Sequence, residues 1–336
     1  MTTIEEDIES AIFTVQEHNL ELLALQVFNF QYQHNEVYQR FCNSLHVVPP
    51  EIKKLEQIPF LPIQFFKTKE ITTTNFVPAQ IFESSGTTGQ VNSQHRVKRL
   101  ALYEQSFQQA FSIFYGDIKN YCVIGLLPSY LQKGNASLVY MVDDFIKQSN
   151  YPQSGFYLDD YARLKENISQ NEAASIPTLL IGVTYALLDF AEKYPMPLQH
   201  TTIMETGGMK GRRQELTRQE VHAQLQQHFG LKQIHSEYGM TELLSQAYSQ
   251  GEGLFGTAPW MKVLLRAADD PFDIISSQAM PTKFATGAIN IIDLANLYSC
   301  AFLATDDVGK LYNNGSFEVL GRLDNSDIRG CGLMIL

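Results

Sequence analysis

Residues 81–95 read IFESSGTTGQVNSQH. An apolar stretch ends there, and Ser84, Ser85, Thr87 and Thr88 crowd around Gly86 and Gly89. A Ser/Thr/Gly tract often marks a flexible surface loop. The same residue types also suit a loop that wraps phosphate. Glycine lets the backbone approach an anion closely, and hydroxyl and amide groups donate to its oxygens. No Gly-Lys-Ser/Thr follows, so this is not a Walker A loop. The choice between the two readings rests on what surrounds the segment.

From Ala79 onward, short apolar runs alternate with longer amphipathic ones. Strands are predicted near NYCVIGLL (120–127), PTLLIGV (177–183), TTIMETGG (201–208) and KQIHSEYG (232–239). Helices are predicted over ASLVYMVDDFIKQ (136–148), TYALLDFAEKY (184–194) and RQELTRQEVHAQLQQHFG (213–230). This alternation argues for an α/β fold with parallel or mixed sheets covered by helices. Upstream, the first ~70 residues read mostly helical. LELLALQVFNFQYQHNEVYQRFC carries apolar residues at helical spacing, VVPPE breaks it, and IPFLPIQFFKT is a Pro-punctuated packed connection. Downstream of Gly251 the long helical patterns stop. Short strands and turns follow, and NNG at 313–315 is a hairpin signal. We expect one continuous unit over 1–336: a helical part (1–75), an α/β core (76–250) and a β-rich part (251–336).

Composition narrows the function. The 336 residues are 44% hydrophobic, enough for a sizeable core, with 21 Phe and 16 Tyr. A net charge of −11 with no basic run argues against broad nucleic-acid binding and against attraction to anionic membranes. No apolar run approaches the ~18 residues of a transmembrane helix. MTTIEEDIES is acidic and unlike a signal peptide. Cys42, Cys122, Cys300 and Cys331 are widely spaced and form no metal-ligand pattern. Free thiols in a reducing cytoplasm are expected.

Ligands bind outside the carboxyl ends of strands in open α/β sheets. Four polar clusters follow apolar strand-like runs. METGGMKGRR holds Gly207, Gly208 and Gly211; HSEYGMTEL holds Tyr238, Gly239, Thr241 and Glu242; TDDVG holds Asp306 and Asp307; GRLD holds Arg322 and Asp324. Each alone reads as readily as a structural turn.

In this order, SSGTTG, the Gly turn, Y-G-M-T-E, T-D-D and G-R-x-D resemble the adenylate-forming superfamily of acyl-CoA synthetases and firefly luciferase. The resemblance runs from about residue 80 onward. It implies that Ser84, Ser85, Gly86, Thr87, Thr88 and Gly89 bind ATP phosphates. Residues 206–209, including Gly207 and Gly208, would be the adenine platform. Tyr238 and Gly239 would complete the nucleotide site, Thr241 would meet phosphate and Glu242 would hold Mg²⁺. Asp307 and Arg322 would read the ribose. The residue types suit this chemistry independently: joining two anions needs donors around phosphate and a divalent cation. Mg²⁺ often takes only one or two protein carboxylates.

The wider family continues past G-R-x-D into a small mobile domain carrying a catalytic Lys. Here Leu336 follows shortly, so that domain is expected to be absent. The length and the ESSGTTG start are similar to the acyl-protein synthetase subgroup, the LuxE-type long-chain-fatty-acid–protein ligases. Such enzymes adenylate a fatty acid, take the acyl group onto a Cys near the C-terminus and pass it to a partner acyl reductase. Cys331 falls where that Cys is expected. Gly330 and Gly332 give it reach, and nearby Arg329 favours a thiolate. The alternative is that GLMIL is a terminal strand and Cys331 its first packed residue. The other three cysteines lie in apolar or helical segments and read as buried. His235 would line the acyl pocket or be a satisfied core residue, and His95 would aid phosphate binding. A phenylacetate-type CoA ligase, an acyltransferase to a small acceptor and a non-catalytic nucleotide-binding scaffold are the rival functions.

Overall fold

The structure is a computed structural model and describes residues 4–84, 91–128, 135–207, 216–267, 270–278, 280 and 282–323. Three helices open the chain: α1 (Ile4–Ile12), α2 (Glu17–His34) and α3 (Glu36–Ser44). The apolar periodicity runs unbroken from α2 into α3, but the chain breaks at Asn35. Its backbone is extended, and its side chain accepts from Tyr38 N–H, capping α3. The same side chain donates to Ser299 O at 2.8 Å, so the break is fixed by a buried tertiary bond.

β1 (Leu61–Pro62) and the short α4 (Phe65–Thr68) lead to a hairpin of β2 (Gln80–Glu83) and β3 (Gln94–Val97). This pair is antiparallel, with Glu83 opposite Gln94. The Ser/Thr/Gly segment is therefore the connection of a hairpin. Its two ends are tied by Ser84 N–H to Ser93 O (3.0 Å) and Ser93 N–H to Ser84 Oγ (2.9 Å). Ser85 to Gly89 themselves lie outside the described residues.

After α5 (Leu100–Tyr115) come β4 (Cys122–Leu126), α6 (Ser137–Gln148), β5 (Gly155–Phe156), α7 (Tyr161–Ala173) and β6 (Thr178–Val183). Next are α8 (Thr184–Lys193), β7 (Thr201–Thr206), α9 (Arg218–Phe229) and β8 (His235–Tyr238). These five strands are parallel in the order β5-β4-β6-β7-β8. Every residue of β4 and β6 is buried, as near-continuous apolar strands covered on both faces require. The predicted helix over 213–230 starts later, at Arg218. Thr217 and Glu220 form a reciprocal capping box, which satisfies first-turn donors and sets that start.

The β-rich part continues the same sheet. β9 (Ala247–Ser249), β10 (Phe255–Thr257), β11 (Met261–Arg266), β12 (Ile274–Ile275), β13 (Phe284–Asp293), β14 (Phe302–Tyr312) and β15 (Phe317–Arg322) extend it. Among the described residues the sheet has 13 strands, ordered β12-β11-β13-β14-β15-β10-β9-β8-β7-β6-β4-β5, with β1 parallel to β14. Antiparallel pairing begins at β8–β9. The NNG signal is the β14–β15 turn, where Gly315 takes φ +84°, a conformation open to glycine. That hairpin sets Asp307 directly opposite Arg322. No helix among the described residues is long and apolar enough to cross a membrane.

Candidate active site

The C-terminal ends of β7 and β8 open onto a cleft of about 360 Å³. Ser84 and Ser93 reach it from the hairpin base, Thr206 and Gly207 from the end of β7, Gly239 to Glu242 from the end of β8, and Arg322 from the end of β15. These segments are far apart in the chain. The parallel order β6-β7-β8 brings two of them side by side, and the β14–β15 hairpin brings the third.

Two sequence features follow from local crowding. Gly207 takes φ +71° as the chain leaves β7, and Thr184 Oγ1 donates to its carbonyl at 2.5 Å. A Cβ at Gly239 would sit 2.4 Å from Glu237 Oε1, so a side chain there would displace the Glu237 carboxylate. The chain then turns tightly, with Leu243 N–H bonded to Met240 O at 3.0 Å, and presents Thr241 and Glu242.

That turn is held from behind by side chains outside the recognised motifs. His95 Nδ1 lies 2.8 Å from Thr241 O and its Nε2 2.9 Å from Ser299 Oγ. A carbonyl only accepts, so Nδ1 carries the proton and Nε2 accepts from Ser299. Burial holds this ring neutral, with its pKa lowered to about 4. The expected phosphate role of His95 is corrected: both nitrogens are committed to protein partners, and the ring positions Thr241. Asn296 Nδ2 donates to Glu242 O at 2.8 Å. Asp293 accepts from Leu244 N–H (2.9 Å), Ser245 N–H (3.0 Å) and Ser245 Oγ (2.6 Å). Burial pushes its carboxyl up to about 6 in spite of these donors.

Glu242 is buried, and burial raises its pKa, opposed by the Ser93 hydroxyl and by the charges of Lys67 and Arg322. Among the described residues no group of three or more His, Cys, Asp or Glu forms a metal cluster. One carboxylate beside a turn that presents the Thr241 hydroxyl suits a cation that keeps water among its other ligands, as Mg²⁺ does.

Tyr238, Asp307 and Arg322 come together. Tyr238 packs against Phe255 and Phe317, with ring centroids 5.9 and 5.7 Å away, and donates its hydroxyl to Asp307 Oδ2 at 2.7 Å. Arg322 Nε lies 3.6 Å from Asp307 Oδ1. Burial raises the Asp307 pKa, while the Tyr238 bond and Arg322 oppose it. Of the three, only Arg322 lines the cleft; Tyr238 and Asp307 form the layer beside it. His235 lies at the start of β8, is part-buried, does not line the cleft, and has its Nδ1 3.1 Å from the Tyr115 hydroxyl. Gly208 and Cys331 lie outside the described residues. Cys42, Cys122 and Cys300 are buried, and burial raises all three thiols, Cys42 to about 12.

Lys67 was not anticipated. It lies on α4 and lines the cleft, one of two cationic side chains doing so among the described residues. The signal was a lysine ending the apolar run IPFLPIQFFK, which reads as a packed connection. Asp293 and Asn296 also had a signal, as polar residues inside the apolar stretch INIIDLANL.

The sequence profile of the acyl-protein synthetase family LuxE matches residues 13–336. A long-chain-fatty-acid–luciferin-component ligase of Aliivibrio fischeri is 23% identical over 347 residues, covering 96% of this chain and 89% of that protein. Among solved structures, ATP-bound MatB of Rhodopseudomonas palustris is similar with a TM-score of 0.53 at 15% identity, over 74% of this chain and 49% of that one. O-succinylbenzoate coenzyme A synthetase of Bacillus subtilis, in complex with ATP and magnesium ion, gives 0.50 at 16%, over 75% and 52%. The chain thus spans about half the length of these solved structures. At such identities the likeness shows the fold alone, the large domain of adenylate-forming enzymes. The profile match along nearly the whole chain settles the family: this chain belongs to the acyl-protein synthetase (LuxE) family.

Proposed function

We propose that this chain activates a carboxylic acid with ATP in the cleft at the ends of β7 and β8. The acid's carboxylate oxygen attacks the α-phosphorus, pyrophosphate leaves and an acyl adenylate forms. The Cys331 thiolate then attacks the acyl carbon, AMP leaves and a thioester results, ready for delivery to a partner protein such as an acyl reductase. The name of the Aliivibrio relative, a fatty-acid ligase acting on a luciferin component, supports an acyl-accepting protein.

One observation carries this reading. Ser84, Gly207, Thr241, Glu242 and Arg322, from distant motifs that resemble one ATP site, line one cleft. The hairpin base and Thr241 would cradle phosphate, and Arg322, backed by Asp307 and Tyr238, would hold the ribose side. Lys67 would add a second positive charge opposite the phosphates, where it is worth most in a water-poor cleft. Glu242 would hold Mg²⁺, which neutralises charge on the phosphate oxygens when bound.

Intact-protein mass measurement tests the whole sequence of steps. With ATP, Mg²⁺ and an accepted acid, the wild type should gain a hydroxylamine-labile acyl mass, and Cys331→Ser should not. A serine hydroxyl is far less ionised than a thiol at neutral pH and is a poor replacement. An unchanged adduct in Cys331→Ser would move the acyl acceptor to another residue. Acyl-CoA formation without any protein adduct would make this a CoA ligase.

A further inference from the structure

Four charged side chains line the cleft among the described residues: Lys67, Glu237, Glu242 and Arg322. The proposed reaction brings ATP and a second anion, the acid, into this one space. Three of the four have a role in that reading. Lys67 offsets phosphate charge, Glu242 holds the metal, and Arg322, 3.6 Å from Asp307, lies on the ribose side. Glu237 has none. A free negative charge there would oppose each anion that enters.

Glu237 ends β8 beside Tyr238 and pairs directly across with Thr206 of β7. It is 8% exposed, and its Oε2 accepts from Thr206 Oγ1 at 2.5 Å. Its Oε1 accepts from no described residue and is not sealed in the core. Gly239, itself part of the cleft lining, makes room for that oxygen: a Cβ there would sit 2.4 Å from Oε1. No cation balances the carboxyl. Glu205 of β7 adds a like charge. Arg218 and His222 of α9 stand on Glu205 instead, at 3.5 and 3.9 Å. Tyr103 of α5 and Tyr248 of β9 feel the Glu237 charge, but burial raises both phenols and keeps them neutral. On β8 itself Tyr238 is bonded to Asp307, and His235 lies beside the Tyr115 hydroxyl. Lys67 and Arg322 bear on Glu242 rather than on Glu237. A buried carboxyl without a cation neutralises by taking a proton. Burial accordingly raises the Glu237 pKa to about 7, opposed by the Thr206 bond and helped by the Glu205 charge.

We infer that Glu237 sets the affinity of this cleft for the acid: as a neutral carboxyl it admits the substrate carboxylate, and as a carboxylate it repels it. ATP arrives with its charge offset by the metal and by Lys67, so the acid is the anion that meets Glu237 uncompensated. This inference rests on the acid-activation reading and adds to it a residue that controls one of the two substrates.

The test is acid-dependent ATP–pyrophosphate exchange from about pH 6 to about pH 9, with straight-chain acids from butyrate to myristate and the best accepted one followed in detail. A simple carboxyl titrates near pH 4, so the acid is ionised throughout. The wild-type KM for the acid should rise about tenfold or more from about pH 7 to about pH 9, as Glu237 ionises. Glu237→Gln has the same shape and no charge at any pH, so its KM for the acid should stay nearly flat. The ratio of wild type to variant cancels the titrations of pyrophosphate and of the other cleft groups. Glu237→Met serves equally if glutamine disturbs the Thr206 contact. The wild type also tests the idea without any variant: its KM for ATP should rise less than its KM for the acid. A flat wild-type KM for the acid, equal rises for acid and ATP, or a rise that persists in both variants overturns the inference while exchange itself, and so acid activation, stands. No exchange with any acid at any pH overturns this inference and the activation reading together.

Discussion

His95 shows how a residue that touches no substrate can still be tested. Its ring is buried and neutral, with a pKa near 4 in place of 6.5. Between those values the unfolded chain binds a proton that the folded chain does not, so stability falls as pH drops through this window. Relative to His95→Asn, the wild type should lose about 1.4 kcal/mol per pH unit across it, read from denaturant melts. A pH-independent difference would mean the ring is not held neutral. Lys67 belongs to the same scale. Lys67→Met should lower acid-dependent exchange by about tenfold to a thousandfold, by removing positive charge from the cleft proposed to hold the phosphates. Undiminished exchange would leave Arg322 as the relevant cation. Thr241 and Glu242 were legible because the motif Y-G-M-T-E names them. Lys67 was not, because only folding places α4 beside the end of β8.

At the scale of elements, the turn after β8 depends on its neighbours' side chains. Asp293, at the end of β13, binds the amides of Leu244 and Ser245, and Trp260 Nε1 donates to Ser245 Oγ at 3.1 Å. Asp293→Asn sets an NH₂ against donors that now find an acceptor. That should cost about 1–3 kcal/mol of stability and loosen the Thr241–Glu242 turn. Thermal melts and the KM for ATP should both worsen; a loss of stability with unchanged ATP kinetics would separate this network from the site. The strands β4 and β6 were readable from their near-continuous apolar runs, and β7 and β8 from the alternation of short strand-like and longer amphipathic segments. The start of α9 was not, because the periodic pattern extends upstream of the Thr217–Glu220 cap that decides it. Nor was the break at Asn35, which is fixed by bonds to residues far along the chain.

Across the molecule, the N-terminal helices brace the site at long range. Gln31 of α2 donates to Asn296 O and Leu297 O at 2.9 and 3.0 Å and accepts from Ala301 N–H at 2.9 Å. Asn296 in turn holds the Glu242 carbonyl. A helical segment that reads from sequence as ordinary packing is thereby connected to the candidate metal carboxylate through two buried amides. The order of the motifs was legible; the expectation that each follows a strand fails at Asp306 and Asp307, which lie within β14 and are paired across to β15. The side chains that position them were scattered over residues 31 to 296 and carry no shared pattern. The central claim is that this cleft forms an acyl adenylate with Glu242 holding the metal. Acid-dependent ATP–pyrophosphate exchange, measured with and without Mg²⁺, tests it most directly. The wild type and Cys331→Ser should exchange only when acid and Mg²⁺ are both present, and Glu242→Gln should lose most of that exchange. Exchange absent from the wild type with every acid, or undiminished in Glu242→Gln, would contradict it.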